Sequence, residues 1–145
     1  MIAIASDHAG FEYKEKSKAL LSDLGLQYKD FGTTSPASTD YPDYGHAAAE
    51  AVSTGACDRG ILICGSGIGM SIIANKSVNV RASLCATEDM ATVARRHNDA
   101  NVLCLGERTT TWEITEKIIR IWLSTPFDGG RHEIRVEKIH SLTHC

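Results

Sequence analysis

The residues best suited to chemistry form one run that follows the apolar segment 60–63: Cys64, Gly65, Ser66, Gly67, Ile68 and Gly69. This pattern predicts a buried strand that ends at a glycine-rich turn and continues into a helix. Glycines leave backbone N–H groups unshielded and a helix N-terminus adds partial positive charge, so the turn is suited to an anion. The same surroundings favour the thiolate of Cys64, which would then act as a nucleophile or a base.

Three known phosphate-binding loops do not fit this run. A Walker A loop needs a Lys-Ser/Thr pair after its last glycine, and a dinucleotide fingerprint needs glycine where Met70 stands. A cysteine phosphatase loop would place arginine at the Met70 position. A phosphate bound here must therefore obtain its positive charge from elsewhere in the chain or from another chain.

Five short apolar runs alternate with helical patterns along the chain. The runs are residues 2–6, 28–31, 60–64, 82–85 and 102–105, and helical periodicity lies in residues 13–24, 44–52, 90–97 and 111–124. Alternation of this kind predicts right-handed crossovers and a parallel sheet with helices on both faces. We therefore expect a three-layer α/β domain with a five-stranded parallel sheet.

Ligands of such sheets bind beyond the carboxyl ends of the strands. Asp7 and His8 follow the first predicted strand, the cysteine run follows the third, and His97 and Asn98 lie just before the fifth. We expect these groups to converge on one edge of the sheet. Three structural alternatives remain open: Asp7 as a helix N-cap, His97 as a core histidine and Cys64 as an inert buried thiol.

A break at residues 126–130 precedes a last predicted helix, residues 131–139. Arg131 and Arg135 stand four residues apart, so both guanidiniums lie on one face of its first turns. A phosphate is the ligand that suits this pair. The alternative is a set of surface ion pairs with Glu133 or Glu137.

Composition narrows the class of protein. The 145 residues, 43% of them hydrophobic, predict a single domain, residues 1–145, and the net charge of −3 without a basic stripe argues against a nucleic-acid partner. The first residues predict neither a signal peptide nor a membrane span, so we expect a cytoplasmic protein whose five cysteines are reduced. We interpret Cys85 and Cys104 as buried hydrophobes and expect no metal site, including in the tail that carries His140, His144 and Cys145.

Five segments together resemble the type B ribose-5-phosphate isomerases, a family that includes the allose-6-phosphate and galactose-6-phosphate isomerases. The segments are Asp7-His8-Ala9-Gly10, Thr39-Asp40-Tyr41-Pro42, the cysteine run with Ala74-Asn75-Lys76, Arg96-His97-Asn98-Asp99-Ala100-Asn101, and Gly129-Gly130-Arg131-His132 with Arg135. They stand in the family's order and spacing and span nearly the whole chain. The resemblance implies a Rossmann-like fold and interconversion of ribose 5-phosphate and ribulose 5-phosphate through an enediolate, without metal or cofactor, in the pentose phosphate pathway.

The resemblance also implies roles by position. The proton-abstracting thiol falls on Cys64 and the ring-opening histidine on His97. The turn that binds the enediolate comprises Gly65, Ser66, Gly67, Ile68 and Gly69, and the sugar-binding pair is Asp7 and His8. The remaining contacts to the sugar and its phosphate fall on Tyr41, Asn98, Arg108, Arg131 and Arg135. Ser66 supplies a hydroxyl where some members have threonine, and Asp7 could orient hydroxyls or carry a proton between O1 and O2.

The resemblance further implies a homodimer, possibly a dimer of dimers, with active sites between subunits. Residues 126–145 are then expected to pack on the partner subunit, and Arg131 and Arg135 to serve the partner's site. Whether the sugar has five or six carbons stays open from sequence. The alternative from another functional class is a non-catalytic nucleotide- or flavin-binding module on the same sheet.

Overall fold

The computed structural model describes all 145 residues and contains one parallel sheet. Its strands are β1 (Ile2–Ser6), β2 (Tyr28–Asp30), β3 (Arg59–Cys64), β4 (Ala82–Leu84) and β5 (Val102–Gly106). They lie in the order β2-β1-β3-β5-β4, and every neighbouring pair is parallel. The predicted five-stranded parallel sheet is confirmed, and each strand begins and ends within one residue of its predicted bounds.

Six helices connect or follow the strands: α1 (Phe11–Asp23), α2 (Tyr41–Ser53), α3 (Ile68–Ala74), α4 (Glu88–Asn98), α5 (Trp112–Ser124) and α6 (Arg131–Thr143). A 3-10 turn, His8–Gly10, leads into α1. Helix α6 extends to Thr143, beyond the predicted end at residue 139. None of these helices combines the length and the apolar character needed to cross a bilayer.

The helices form two layers because the strands are apolar on both faces. Helices α2 and α3 pack small and flexible side chains such as Ala48 and Met70 against Ala5 and Leu62. Helices α1, α4 and α5 cover the opposite face, where Trp122 is among the side chains that meet the isoleucines and leucines of the strands. Successive strand residues point to opposite faces, so both layers bury large apolar side chains, each worth about 1.5–3 kcal/mol. The predicted three-layer α/β architecture is confirmed.

The topology leaves a crevice between β1 and β3. From β1 the chain moves outward to β2 at one edge, whereas β3, β5 and β4 all lie on the other side of β1. Connections that depart to opposite sides leave the carboxyl ends of these two strands open to a ligand. The residues that follow β1 and β3 border this opening.

Helix α6 packs against α4 of its own chain. The residues that face inward are four apart: His132 stacks on His97, Val136 is buried and His140 contacts Arg81. Its other side carries Ile134 and Leu142, which are 68% and 71% exposed. The C-terminal segment is therefore attached to its own domain and presents an apolar face outward.

Candidate active site

A cavity of about 370 Å³ lies beyond the carboxyl ends of β1 and β3. Its lining residues are Asp7, His8, Ala9, Tyr41, Cys64, Gly65, Ser66, Gly69, Arg108 and Thr109. All of these except Ala9 and Thr109 belong to the site predicted from sequence. Gly67 and Ile68 lie in the same turn as the lining glycines but do not line the cavity.

Cys64 is the last residue of β3 and is only 5% exposed. The Gly67 N–H donates a hydrogen bond to Cys64 Sγ at 3.1 Å. A hydrogen bond from a backbone amide is stronger to a thiolate than to a thiol, so this donor is suited to a sulfur that carries negative charge during a reaction. Cys64 thus combines restricted access to water with a donor aimed at its sulfur, which suits a base.

Two glycines hold the turn and its neighbours in close contact. Gly67 has φ +76°, and a Cβ there would lie 2.9 Å from the Leu105 carbonyl carbon, so only glycine lets the turn approach β5. At Gly69 a Cβ would lie 2.7 Å from Cζ of Tyr41. The ring of Tyr41 therefore rests directly on the backbone of α3 and forms one wall of the cavity.

Asp7 and His8 are both anchored by one atom. Asp7 Oδ1 accepts hydrogen bonds from the N–H groups of Ala9 (2.9 Å) and Gly10 (3.1 Å), which confirms the capping interpretation and leaves Oδ2 without a partner in the chain. His8 Nδ1 lies 3.1 Å from the carbonyl oxygen of Thr39 and 3.2 Å from its amide nitrogen. Each side chain therefore keeps one polar atom, Oδ2 or Nε2, for a ligand.

The loop after β5 is fastened to the loop after β3. The Glu107 N–H donates to the carbonyl of Cys64 and the Arg108 N–H to the carbonyl of Gly65, each at 2.9 Å. The Glu107 carboxylate accepts the N–H of Tyr13 at 3.0 Å, and burial raises its pKa. Sequence reasoning reaches only Arg108 in this loop, through the resemblance, because Glu107 and Thr109 belong to no motif.

Arg108 brings an unpaired positive charge to the cavity. Its side chain packs on Gly65 and it forms no salt bridge, whereas Arg81, Arg95, Arg96 and Arg120 all do. An unpaired guanidinium beside a glycine-rich turn is suited to a phosphate group. The charge that the turn itself lacks is therefore present in part within the same chain.

The expectation that His97 and Asn98 converge on the same edge is wrong within one chain. These residues end α4, which leads into β5, so they lie at the amino end of the sheet. Cys64 pairs in register with Gly106 at the other end of β5, and five strand residues span about 16 Å. Residues that precede a parallel strand lie opposite those that follow it, which is the physical reason for the error.

Arg131 and Arg135 also lie outside the cavity. Both are exposed on the first turns of α6 and neither forms a salt bridge, so the predicted alternative of ion pairs with Glu133 or Glu137 does not occur. Beside them, the rings of His97 and His132 are parallel within 7° at a centroid distance of 4.3 Å. Desolvation, the ring of His97 and the two nearby arginines lower the pKa of His132.

His97, His132 and Asp128 are the one group of side chains with metal-ligand spacing, with ligand atoms within 4.8 Å of one another. Imidazole lone pairs lie in the ring planes, and two nearly parallel, stacked planes do not converge on a single ion. Asp128 already accepts two hydrogen bonds from Arg96, each 3.1 Å long. The geometry therefore does not favour a metal at this group.

Comparison with known proteins gives a consistent result. The family described as ribose/galactose isomerase matches residues 2–139. Ribose-5-phosphate isomerase B of Escherichia coli is 44% identical, over 97% of this chain and 95% of that protein. The structure of ribose-5-phosphate isomerase B from Clostridium thermocellum superimposes with a TM-score of 0.97 at 47% identity, covering 99% of this chain and 97% of that one. The enzyme from Mycoplasma genitalium, solved with bound ribulose 5-phosphate, gives a TM-score of 0.94 at 39% identity, with 99% and 95% coverage.

Proposed function

Because the chain belongs to the ribose/galactose isomerase family, we propose that it interconverts ribose 5-phosphate and ribulose 5-phosphate. The observation that carries this proposal is the position of Cys64, which lines the cavity and accepts the Gly67 N–H. The cavity has room for a small polar ligand, and its rim carries the unpaired guanidinium of Arg108. These are the features that a phosphorylated sugar requires.

Cys64 acts as the general base of the reaction. Moving the carbonyl from C1 to C2 requires removal of the proton on C2, which is weakly acidic because it is α to the carbonyl. The thiolate takes this proton and returns it to C1, and the hydrogen bond from Gly67 stabilises the thiolate before the first transfer and after the second. General-base catalysis of this kind contributes about 10²–10⁴ in rate.

The turn that lines the cavity stabilises the developing negative charge, and Asp7 transfers the remaining proton. As the C2 proton leaves, negative charge develops on the former carbonyl oxygen, next to the lining residues Gly65, Ser66 and Gly69. Each fixed donor to such an oxyanion is typically worth about 3–4 kcal/mol of barrier. Asp7 Oδ2, which has no partner in the chain, is the acceptor that carries the proton between O1 and O2.

Arg108 supplies one part of the phosphate site, and Arg131 and Arg135 complete it from a second copy of the chain. Within one chain, this arginine pair and His97 lie away from the cavity. The reaction of a closed sugar ring nevertheless needs a group that moves a proton at the ring oxygen. An imidazole titrates near neutral pH and suits that step. We therefore infer a homodimer in which His97, Asn98 and the arginine pair enter the partner's site.

Exposed apolar side chains support this assembly. Ile68 and Ile72 lie on one face of α3, beside the catalytic turn, and are 53% and 55% exposed. Ile134 and Leu142 add a second apolar surface on α6, the helix that carries the arginine pair. Large apolar side chains gathered near a polar site mark a surface that a partner covers. A second copy seated there would bury them and bring the two halves of the site together.

The proposed reaction moves protons only, so no redox cofactor is needed. All five cysteines are free thiols, four of them buried. Free thiols are typical of a reducing compartment, which supports a cytoplasmic location.

Replacement of Cys64 tests the proposal directly. We expect Cys64→Ala to lose at least about 10²-fold in turnover of ribose 5-phosphate, since the base is removed, while calorimetry still detects binding of the sugar. Cys145→Ala, which removes a thiol of the C-terminal tail, is the matched control and should keep wild-type turnover. A Cys64→Ala enzyme with wild-type kcat would refute the thiol base. Assays with allose 6-phosphate on the same preparations establish the preferred sugar length.

A further inference from the structure

Arg81 holds the end of helix α4. It precedes β4, and its side chain is 17% exposed. Nε donates to the carbonyls of Asn98 and Asp99, each at 3.1 Å, and Nη2 donates to the Asp99 carbonyl at 2.8 Å. These carbonyls belong to the last residue of α4 and to its C-cap, and they have no intrahelical partner. The guanidinium therefore caps the helix immediately after His97 and Asn98.

Asp99 reinforces this cap. It adopts φ +45°, the left-handed conformation that ends the helix. Its carboxylate lies between two arginines: Oδ2 accepts a hydrogen bond from Arg81 Nη2 at 3.0 Å, and Oδ1 forms a salt bridge with Arg95 Nη1 at 2.8 Å. Arg95 is itself 5% exposed and also donates to the carbonyl of Ala100. Charged side chains thus hold the backbone that follows Asn98.

The same guanidinium reaches helix α6. Arg81 Nη1 lies 3.0 Å from His140 Nε2, and because a guanidinium can only donate, the imidazole accepts. His140 and His132 share the inward face of α6, so these two contacts set the rotation of that helix about its axis. The rotation in turn sets the direction in which Arg131 and Arg135 project.

We propose that Arg81 is a positioning residue that fixes α4 and α6 as one rigid unit. This unit presents His97 and Asn98 together with the arginine pair to the cavity of a second copy. The inference rests on the proposed function, in which these four residues complete the partner's site. In this role Arg81 contacts no substrate, but it sets the relative positions of the ring-opening and phosphate-binding groups.

Arg81→Lys tests this role, because lysine keeps the charge but replaces the three donor nitrogens that reach α4 and α6 with a single one. We expect kcat for ribose 5-phosphate to fall about tenfold and inhibition by inorganic phosphate to weaken about tenfold, as a displaced catalytic group typically costs. Arg120→Lys is the matched control, since Arg120 is half exposed and bonds only Glu116 on its own helix. Wild-type kcat and wild-type phosphate inhibition in Arg81→Lys would overturn the proposal.

A double substitution separates positioning from general destabilisation. If Arg81 acts on turnover through His97, adding Arg81→Lys to His97→Asn should lower kcat by less than about twofold further. A second full tenfold loss would contradict the proposal. His140→Phe removes only the contact to α6 and should weaken phosphate inhibition while kcat stays within about twofold, since α4 keeps its cap. Unchanged phosphate inhibition in that variant would likewise contradict it, even if Arg81→Lys does not fold.

The two proposals fail in different ways. A wild-type protein that does not isomerise ribose 5-phosphate, or a fully active Cys64→Ala variant, counts against the proposed function. An active wild type with an inactive Cys64→Ala variant and an unaffected Arg81→Lys variant counts against the positioning role alone.

Discussion

Two cysteines, Cys64 and Cys104, lie in strands and a third, Cys85, directly follows β4, and their surroundings distinguish Cys64 from the other two. Burial raises the pKa of Cys104 well above its usual value and also raises that of Cys85, as expected for the buried hydrophobes predicted at these positions. Cys64 instead lines the cavity and accepts a backbone N–H. Its place at the carboxyl end of a central strand is what distinguishes it, and that place can be inferred from the sequence.

Gly69→Ala tests how closely Tyr41 must lie against α3. Alanine is favoured over glycine in a helix by about 1 kcal/mol, and this gain opposes the cost of the new contact with Tyr41. The free energy of unfolding should therefore change little. The new methyl group would meet the Tyr41 ring at 2.7 Å and push this partly exposed side chain out of the cavity wall. We expect kcat/KM for ribose 5-phosphate to fall about tenfold.

Ser71→Ala on the same helix is the matched control for Gly69→Ala. The Ser71 hydroxyl donates only to the carbonyl of Ile68, and Ser71 does not line the cavity. Steady-state kinetics and urea unfolding should leave this variant close to wild type. Equal kcat/KM in Gly69→Ala and Ser71→Ala would show that the position of Tyr41 does not matter.

At the scale of elements, the short edge strand β2 is held by a buried charge. Lys14 of α1 has no exposed side-chain surface, and its Nζ bonds Asp30 of β2 at 2.5 Å and Glu15 at 3.1 Å. Asp30 Oδ1 also accepts the Gly32 N–H at 2.9 Å. One carboxylate therefore links α1, β2 and the loop that runs towards the cavity.

Asp30→Ala should destabilise the fold, because it removes a partner of a buried ammonium group. We expect a loss of about 3 kcal/mol in the free energy of unfolding at pH 7, measured with urea. Glu12→Gln, which breaks the exposed Glu12–Lys16 pair on the same helix, should cost less than about 1 kcal/mol. Similar losses in the two variants would mean that the Lys14–Asp30 pair contributes no more to the free energy of unfolding than an exposed ion pair does.

The stability from Asp30 should depend on pH. Burial alone would raise the pKa of Asp30, but hydrogen bonds from Lys14, Lys18 and the Gly32 N–H outweigh it, and the pKa lies below its usual value. A lowered folded-state pKa stabilises the fold fully above the unfolded value of about 3.9, and this contribution is lost as pH falls through the folded value. The difference between wild type and Asp30→Ala should therefore shrink when unfolding is measured at about pH 3 rather than pH 7.

The elements were the most predictable feature of this chain, and their arrangement the least. Apolar runs reveal the positions of the strands, because a sheet covered on both faces buries both sets of side chains. The residues that follow β1 and β3 line the cavity because the carboxyl ends of these parallel strands lie side by side. No local pattern indicates that β5 inserts between β3 and β4. The misplacement of His97 has the same origin, since which end of the sheet a helix terminus reaches depends on the direction of the chain. Arg81 belongs to no motif and is recognised only from its contacts.

At the scale of the molecule, the proposed assembly requires each chain to carry two half-sites at opposite ends. The cavity holds Cys64 and Arg108, whereas His97 and the arginine pair lie about one strand length away. Around a twofold axis, the cavity of each chain would meet the second half-site of the other chain, because contacts across such an axis are reciprocal. The dimer then has two complete sites and a single chain has none.

Mixed dimers provide the decisive prediction for this arrangement. Cys64→Ala and Arg135→Ala chains are each expected to be nearly inactive alone. In a mixed dimer, one site combines both substitutions and the other has neither, so the purified mixed dimer should show about half of the wild-type activity. The measurement is ribose 5-phosphate turnover of the purified mixed dimer, isolated with two affinity tags, and the matched control is the same two proteins combined without exchange. A verified mixed dimer that stays inactive would mean that each chain completes its own site, and the assignment of His97, Arg131 and Arg135 to the partner's cavity would have to be abandoned.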